Sequence, residues 1–193
     1  ILDAKRADIG STNEGYVKFA YDYLEVDAIT LHPYLGKEAL KPFLDRTEKT
    51  VFILCRTSNP GAGEFQDLLV RRSQSAEAEA LEDLPLYQIV AEHIVKKWNY
   101  NGNCGLVVGA TYPAELEIVR RIAGNGIPFL IPGIGVQGGD VEKTVKAGVD
   151  KDGLNAIISS SRGIIFASKE QDFAQKARFE GEILKTEINK YRK

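Results

Sequence analysis

The stretch Gly105-Leu-Val-Val-Gly-Ala-Thr-Tyr-Pro113-Ala-Glu-Leu116-Glu-Ile-Val119-Arg-Arg-Ile-Ala123-Gly-Asn-Gly-Ile-Pro128-Phe-Leu-Ile131 decides the fold class. It opens on a short apolar run and closes on another, Pro128–Ile131, as strands do when both faces are covered. Between them Pro113 suits a first helical turn, where its missing N–H has no partner to lose. Leu116, Val119 and Ala123 then recur at helical spacing. Strand, helix and strand in that succession make a βαβ unit with parallel strands.

The same alternation extends both ways along the chain. Strands are expected over Ile1–Lys5, Asp27–Leu31, Val51–Arg56, Gly105–Val108, Pro128–Ile131 and Ala156–Ser159. Thr12 is placed to cap a helix carrying Tyr16, Ala20, Tyr23 and Leu24. Leu86, Val90 and Ile94, with Ile89 beside them, mark a second helix. Asp140 fits an N-cap before Val141 and Val145, and Phe173, Ala177, Leu184, Ile188 and Tyr191 share one side of a terminal helix. Six βα units in 193 residues give about 32 residues each, close to the ~31 of a ~250-residue barrel divided by eight. The expectation is an α/β fold, a (β/α)8 TIM-type barrel whose chain starts at the third strand, the first two βα units, roughly 60 residues, being absent. Residues 1–193 would then be a single catalytic barrel domain, incomplete at its N-terminal end. An open doubly wound sheet is the structural competitor. Gly61 to Leu84 is the one long irregular connection, partly helical over Ser73–Leu81, and such a loop at a strand end is often part of an active site.

Composition bounds the function. With 44% hydrophobic and 27% charged residues the chain reads as globular. Its 25 Lys and Arg against 27 Asp and Glu, net charge −2, provide no broad basic footprint, so nucleic acid is not an expected partner. The apolar runs fall far short of the ~20 residues a membrane helix needs, so no membrane partner is expected either. Two cysteines, Cys55 and Cys104, are too few and too far apart for a disulfide framework or a zinc cluster, which favours a reducing, cytoplasmic home. The chain opens on Ile1, contains no methionine and shows no signal or transit peptide, so the sequence is expected to begin inside a larger domain.

The chemistry concentrates in Leu2-Asp3-Ala4-Lys5-Arg6-Ala7-Asp8-Ile9-Gly10-Ser11-Thr12. Residues two apart on a strand share a face, so Asp3 and Lys5 would point inward together at the strand's C-terminal end, where barrel enzymes keep their chemistry. Asp8 follows on the loop. A lysine held between two carboxylates stays protonated and can serve as general acid and electrostatic stabiliser; a surface ion-pair cluster is the alternative. Near the other end, Gly133, Gly135, Gly138 and Gly139 allow backbone N–H groups to face an anion, Gln137 offers both a donor and an acceptor, and Arg162 can grip a phosphate through two parallel bonds. A glycine-rich loop alone could be only a turn; with Arg162 after the next strand it reads as a phosphate site. His32 and His93 are expected to be structural or exposed, and the two cysteines to be small buried hydrophobes. No metal-ligand cluster is visible, which favours a metal-free mechanism.

Together these residues resemble the orotidine 5'-monophosphate decarboxylase family, whose hallmark is Asp-x-Lys-x-x-Asp-Ile-x-x-Thr. Asp3, Lys5, Asp8, Ile9 and Thr12 match it position by position. Thr57-Ser58-Asn59-Pro60-Gly61 resembles the family's pyrimidine-contact turn, Pro132-Gly-Ile-Gly-Val-Gln137-Gly-Gly-Asp140 its phosphate-side loop, and Ser161-Arg162 the place of its phosphate-binding Arg. The resemblance runs in order over essentially the whole chain. It implies decarboxylation of orotidylate to uridylate in pyrimidine synthesis, without cofactor or metal. Lys5 would protonate the pyrimidine carbanion, with Asp3 beside the departing carboxylate. Asp8 and Thr12 would reach into a partner subunit's site, making a homodimer with shared active sites. Ile9, Ser58, Pro132, Gln137 and Arg162 would bind substrate, the Ser58 hydroxyl suiting a pyrimidine amide edge. The family also carries a second-strand Lys and a first-strand ribose-binding Asp, on strands that precede Ile1, and usually has Gly where this chain has Ser161. Two other readings stand beside this one: a metal-dependent sugar-phosphate decarboxylase or aldolase of the same barrel group, and a non-catalytic nucleotide-binding fragment.

Overall fold

A computed structural model describes residues 1–71, 83–135 and 139–192. The chain separates into two compact units, Ile1–Val107 and Val108–Lys193.

The first unit begins with β1 (Leu2–Arg6), α1 (Gly10–Val17) running into a π-helical turn over Lys18–Tyr23, β2 (Ala28–Leu31), α2 (Gly36–Leu44) and β3 (Thr50–Arg56). A 3-10 turn, Pro60–Ala62, leads into the single turn of α3 (Gly63–Gln66); β4 (Leu69–Val70) and β5 (Leu84–Pro85) follow, then α4 (Leu86–His93) with a π-helical turn over Ile94–Trp98, and β6 (Cys104–Val108), whose last residue falls in the second unit. Hydrogen-bonded neighbours run β1-β2-β3-β6, with β1/β2 and β2/β3 parallel and the latter in register from Ala28 opposite Thr50 to Leu31 opposite Ile53. The apolar strands β2, β3 and β6 bury both faces: Leu31, Ile53 and Leu106 are fully buried, as are Leu40, Phe43 and Leu44 of α2 and Ala91 and Ile94 from α4 and its continuation. Each such large side chain contributes about 1.5–3 kcal/mol of transfer free energy. At the strands' N-terminal end the buried Asn103 amide donates to the carbonyls of Leu44, Arg46 and Lys49, which fastens the α2–β3 turn to the start of β6.

Three expectations need correcting here. Thr12 does not cap: α1 starts at Gly10, whose φ of +54° turns the chain two residues earlier, and Thr12 lies exposed in the first turn. The buried stripe of α4 and its continuation is Tyr87, Ala91, Ile94 and Trp98, one residue on from Leu86 and Val90, because the large aromatics take the core side. The Gly61–Leu84 connection is not irregular throughout, since β4 and β5 pair antiparallel across it. Its Ser73–Leu81 stretch lies outside the described residues.

The second unit carries α5 (Pro113–Ala123), β7 (Phe129–Pro132), α6 (Val141–Gly148), β8 (Ala156–Ser159), α7 (Arg162–Ile165) and α8 (Phe173–Tyr191). β7 and β8 are parallel, in register from Phe129 opposite Ala156 to Pro132 opposite Ser159. The Asp140 carboxylate accepts from the Lys143 N–H at 2.9 Å, the expected N-cap. Buried Leu116, Val119, Phe129, Ile131 and Val145 form the core. Gly148 has no room for a side chain: a Cβ there would stand 2.5 Å from Ile131 Cδ1. Arg120 fastens the strands' N-terminal end. Its guanidinium bonds the carbonyls of Gly148, Ile127, Gly124 and Asn155, and lies 3.6 Å from the Phe129 ring centroid. Along α8, Ala177, Leu184, Ile188 and Tyr191 are half-buried, but Phe173 is exposed. All six strands expected from the sequence are present, and among the described residues no helix is long and apolar enough to cross a membrane.

Candidate active site

β1 is irregular where its chemistry lies. Leu2 stands opposite Ile29 and Arg6 opposite Leu31, so three residues, Asp3 to Lys5, face Thr30 alone. This bulge breaks the alternation expected of Asp3 and Lys5, and Lys5 takes a φ of +49°, in the left-handed region that lysine rarely adopts. The two side chains nevertheless meet, by a different route. The Lys5 N–H, out of step with the ladder, donates to Thr30 Oγ1 at 2.9 Å; that hydroxyl donates to Asp3 Oδ1 at 2.9 Å; Lys5 Nζ donates to the same Oδ1 at 2.6 Å. Burial works to raise the Asp3 pKa, but the hydrogen bonds from Lys5 and Thr30 outweigh it and hold the carboxyl below its ordinary range. Thr30, fully buried, was not among the residues singled out from the sequence. Its signal is a hydroxyl in the otherwise apolar run Ala28-Ile-Thr-Leu31.

The loop after β1 is held by Asn13. This fully buried side chain accepts from the Asp8 N–H at 2.9 Å and donates to the carbonyls of Asp8 and Ala39. Asp8 Oδ1 accepts from the Ile9 N–H at 2.8 Å. Among the described residues no ion pair joins Asp8 to Lys5, so within this chain the lysine is paired with Asp3 and not flanked by two carboxylates. Ile9 and Thr12 project into solvent.

Ser58 sits half-buried in the turn after β3, and the turn is anchored from behind. Gln66 accepts from the Thr57 N–H at 2.9 Å and donates to Thr57 Oγ1 at 2.9 Å, while Thr57 Oγ1 lies 2.7 Å from Asn59 Oδ1. The buried Arg56 guanidinium reaches Gln66 Oε1 and pairs with Asp67 at 3.1 Å. His32, Cys55, Gln66, Tyr87, His93 and Trp98 line part of an apolar cavity of about 650 Å³. Cys55 and Cys104 are buried thiols, both pushed up to about 12 by burial, as small hydrophobes would be.

In the second unit Pro132, Gly133, Ile134, Ser159, Ser161, Arg162 and Gly163 surround a pocket of about 90 Å³. Gly133 (φ +110°) and Gly135 (φ +87°) make the turn, and the Gly139 N–H returns to the Gly133 carbonyl at 3.2 Å, where a Cβ on Gly139 would clash at 2.7 Å. Gln137 lies outside the described residues. Arg162 opens α7 with its side chain exposed and, among the described residues, in no ion pair. Ser161 has φ −94°, so the backbone there demands no glycine. Among the described residues no group of three or more His, Cys, Asp or Glu could hold a metal ion.

Comparison with known proteins gives this geometry its context. Residues 1–177 match the family model described as "Orotidine 5'-phosphate decarboxylase / HUMPS family". The orotidine 5'-phosphate decarboxylase of Cupriavidus metallidurans is 50% identical over 192 residues, all of this chain and 66% of that protein; that of Herpetosiphon aurantiacus is 49% identical over 92% of this chain and 61% of its own. The chain thus spans about two thirds, or slightly less, of the length of the curated relatives it matches. Among solved structures, Leishmania donovani OMP decarboxylase superposes with a TM-score of 0.79 at 37% identity, covering 97% of this chain and 68% of that one. Leishmania donovani UMP synthase superposes at 0.83 and 41% identity, over 99% of this chain and 39% of that one. The βα units are those of a (β/α)8 barrel, as expected; the doubly wound alternative is set aside.

Proposed function

This chain belongs to the orotidine 5'-phosphate decarboxylase / HUMPS family, and from that premise we propose that it acts in the decarboxylation of orotidine 5'-monophosphate to uridine 5'-monophosphate. The observation that carries the reading is the circuit of Asp3, Thr30 and Lys5, an ammonium and a carboxylate held together at a bulged strand end. The bond from the pyrimidine ring to its carboxylate breaks, carbon dioxide leaves, and the electron pair on the ring carbon takes a proton from Lys5 Nζ. Asp3 stands beside the departing carboxylate, where repulsion and a preorganised field both act. Ser58 contacts the pyrimidine edge, Ile9 and Pro132 contribute contacts, and Gln137 and Arg162 bind the phosphate. That phosphate is remote from the reacting carbon in the substrate, so its binding energy can serve to organise the site.

The reading extends to a cytoplasmic homodimer in which Asp8 and Thr12 serve the partner's site. What supports it is the first unit's surface. Asp8 is not engaged with Lys5 in its own chain, and Ile9, Tyr34 and Leu35 expose apolar side chains on the neighbouring loops after β1 and β2. Buried free thiols suit a reducing compartment. Incubation of the purified protein with orotidylate after exhaustive chelation tests the reaction. Release of carbon dioxide and uridylate is expected; activity restored only by a divalent metal, on a sugar phosphate, would transfer the assignment to the metal-dependent branch of the barrel group.

A further inference from the structure

We propose that Thr30 is a positioning residue for the candidate acid: its hydroxyl holds the Lys5 backbone in the bulge and fixes the Asp3 carboxylate against the ammonium. The inference rests on the reading of Lys5 as proton donor. The hydroxyl's single hydrogen goes to Asp3 Oδ1 and a lone pair accepts the Lys5 N–H, both at 2.9 Å, so one oxygen serves as pivot for two groups that meet at 2.6 Å. In a regular ladder the Lys5 N–H would find a carbonyl on β2. The bulge removes that acceptor, and Thr30 Oγ1 replaces it. Lys5 is also held at φ +49°, a conformation that persists only where its surroundings over-determine it. Thr30 is fully buried in a strand of otherwise apolar residues, where valine would have the same shape and no unmet hydrogen-bond demand. Its hydroxyl is therefore accounted for by the two bonds it makes to the site.

Thr30→Val keeps the volume and deletes the pivot. The Lys5 N–H then lacks its acceptor, and Asp3 loses one of two donors. In the full chain we expect kcat for orotidylate to fall about 10- to 100-fold with KM within roughly threefold of wild type. The acidic limb of the kcat profile should move to higher pH, and Thr30→Ser, which restores the hydroxyl, should recover most of the loss. A readout independent of turnover is the carboxyl titration of Asp3 by carbon-13 NMR, expected at higher pH in Thr30→Val than in wild type or Thr30→Ser. Wild-type kcat and an unmoved Asp3 titration in Thr30→Val would overturn the inference. So would parallel losses in kcat, KM and melting temperature with the titration unchanged, since that pattern marks a purely structural hydroxyl. Lys5→Ala, assayed alongside, separates the two levels. Undiminished turnover there defeats the proton-donor reading, whereas the Asp3 titration still reports whether Thr30 orients the carboxylate.

Discussion

Removing the Lys5 ammonium while leaving β1 in place isolates its part in the reaction. In Lys5→Ala the Asp3 carboxylate keeps its bond from Thr30, but the only charged partner it has among the described residues is gone. A positioned general acid contributes about 10²–10⁴-fold, so turnover of orotidylate should drop by at least that factor while calorimetry shows uridylate affinity nearly unchanged; near-normal turnover would remove Lys5 from the chemistry. Arg162 calls for the opposite comparison. Its exposed guanidinium beside Pro132 and Gly133 has no ion pair among the described residues, and a charge-assisted bond contributes about 1.5–3 kcal/mol. Arg162→Ala should therefore weaken uridylate by roughly one to two orders of magnitude and leave uridine, which has no phosphate, almost untouched. Equal weakening of both ligands in titrations would mean that Arg162 supports the fold instead.

Between α6 and β8 the chain turns through Asp150-Lys-Asp-Gly-Leu-Asn155, and the turn depends on one carboxylate. Asp150 accepts from the Asn155 amide, from the N–H groups of Leu154 and Asp152, and more distantly from Gly126. The Asn155 bond leads in lowering the carboxyl to about 2; burial opposes it, and the backbone bonds add to the lowering. A folded-state value below the unfolded one, ~3.9, means that the stabilisation is fully present above the unfolded value and is lost as pH falls through the folded one. Asp150→Asn should thus melt lower than wild type at pH 6, and the gap should close between about pH 4 and pH 2. Melting curves across that window check it, and a gap independent of pH would show that the charge is not what matters. The element scale also shows where patterning misleads. Leu86 and Val90 mark α4 by their spacing, yet the buried residues are Tyr87 and Ala91 and, past the end of α4, Ile94 and Trp98.

For the molecule as a whole, most of the six strands were legible because they are apolar runs, and that property belongs to one segment at a time; β1, with Asp3, Lys5 and Arg6, is the exception. Asp140 and Pro113 were legible for the same reason, as local signals of a helix start. The bulge at Lys5 was not, because register is a property of two strands, and neither was the hydroxyl of Thr30 that the bulge requires. Asn13, Asn103 and Arg120 were missed alike: each bonds carbonyls distant in sequence, and nothing in the neighbouring residues announces the partner. Quaternary structure is the largest-scale expectation. Tyr34 and Ile9 expose large apolar surface on adjoining loops of the first unit, so light scattering should report a dimer, and Tyr34→Asp should shift it toward monomer by placing an uncompensated charge in the contact. A wild-type monomer at micromolar concentration would end the shared-site reading.

The left-handed backbone of Lys5 has a consequence for anyone improving this protein by selection. Glycine would relieve about 1 kcal/mol of strain at that position, so a library screened for heat resistance alone would tend to accumulate Lys5→Gly. Those survivors would gain stability and lose the ammonium, because one of the three non-glycine residues held at positive φ among the described residues is the one assigned the proton. Robustness and turnover are opposed here at a single codon, and a screen for this chain has to score both.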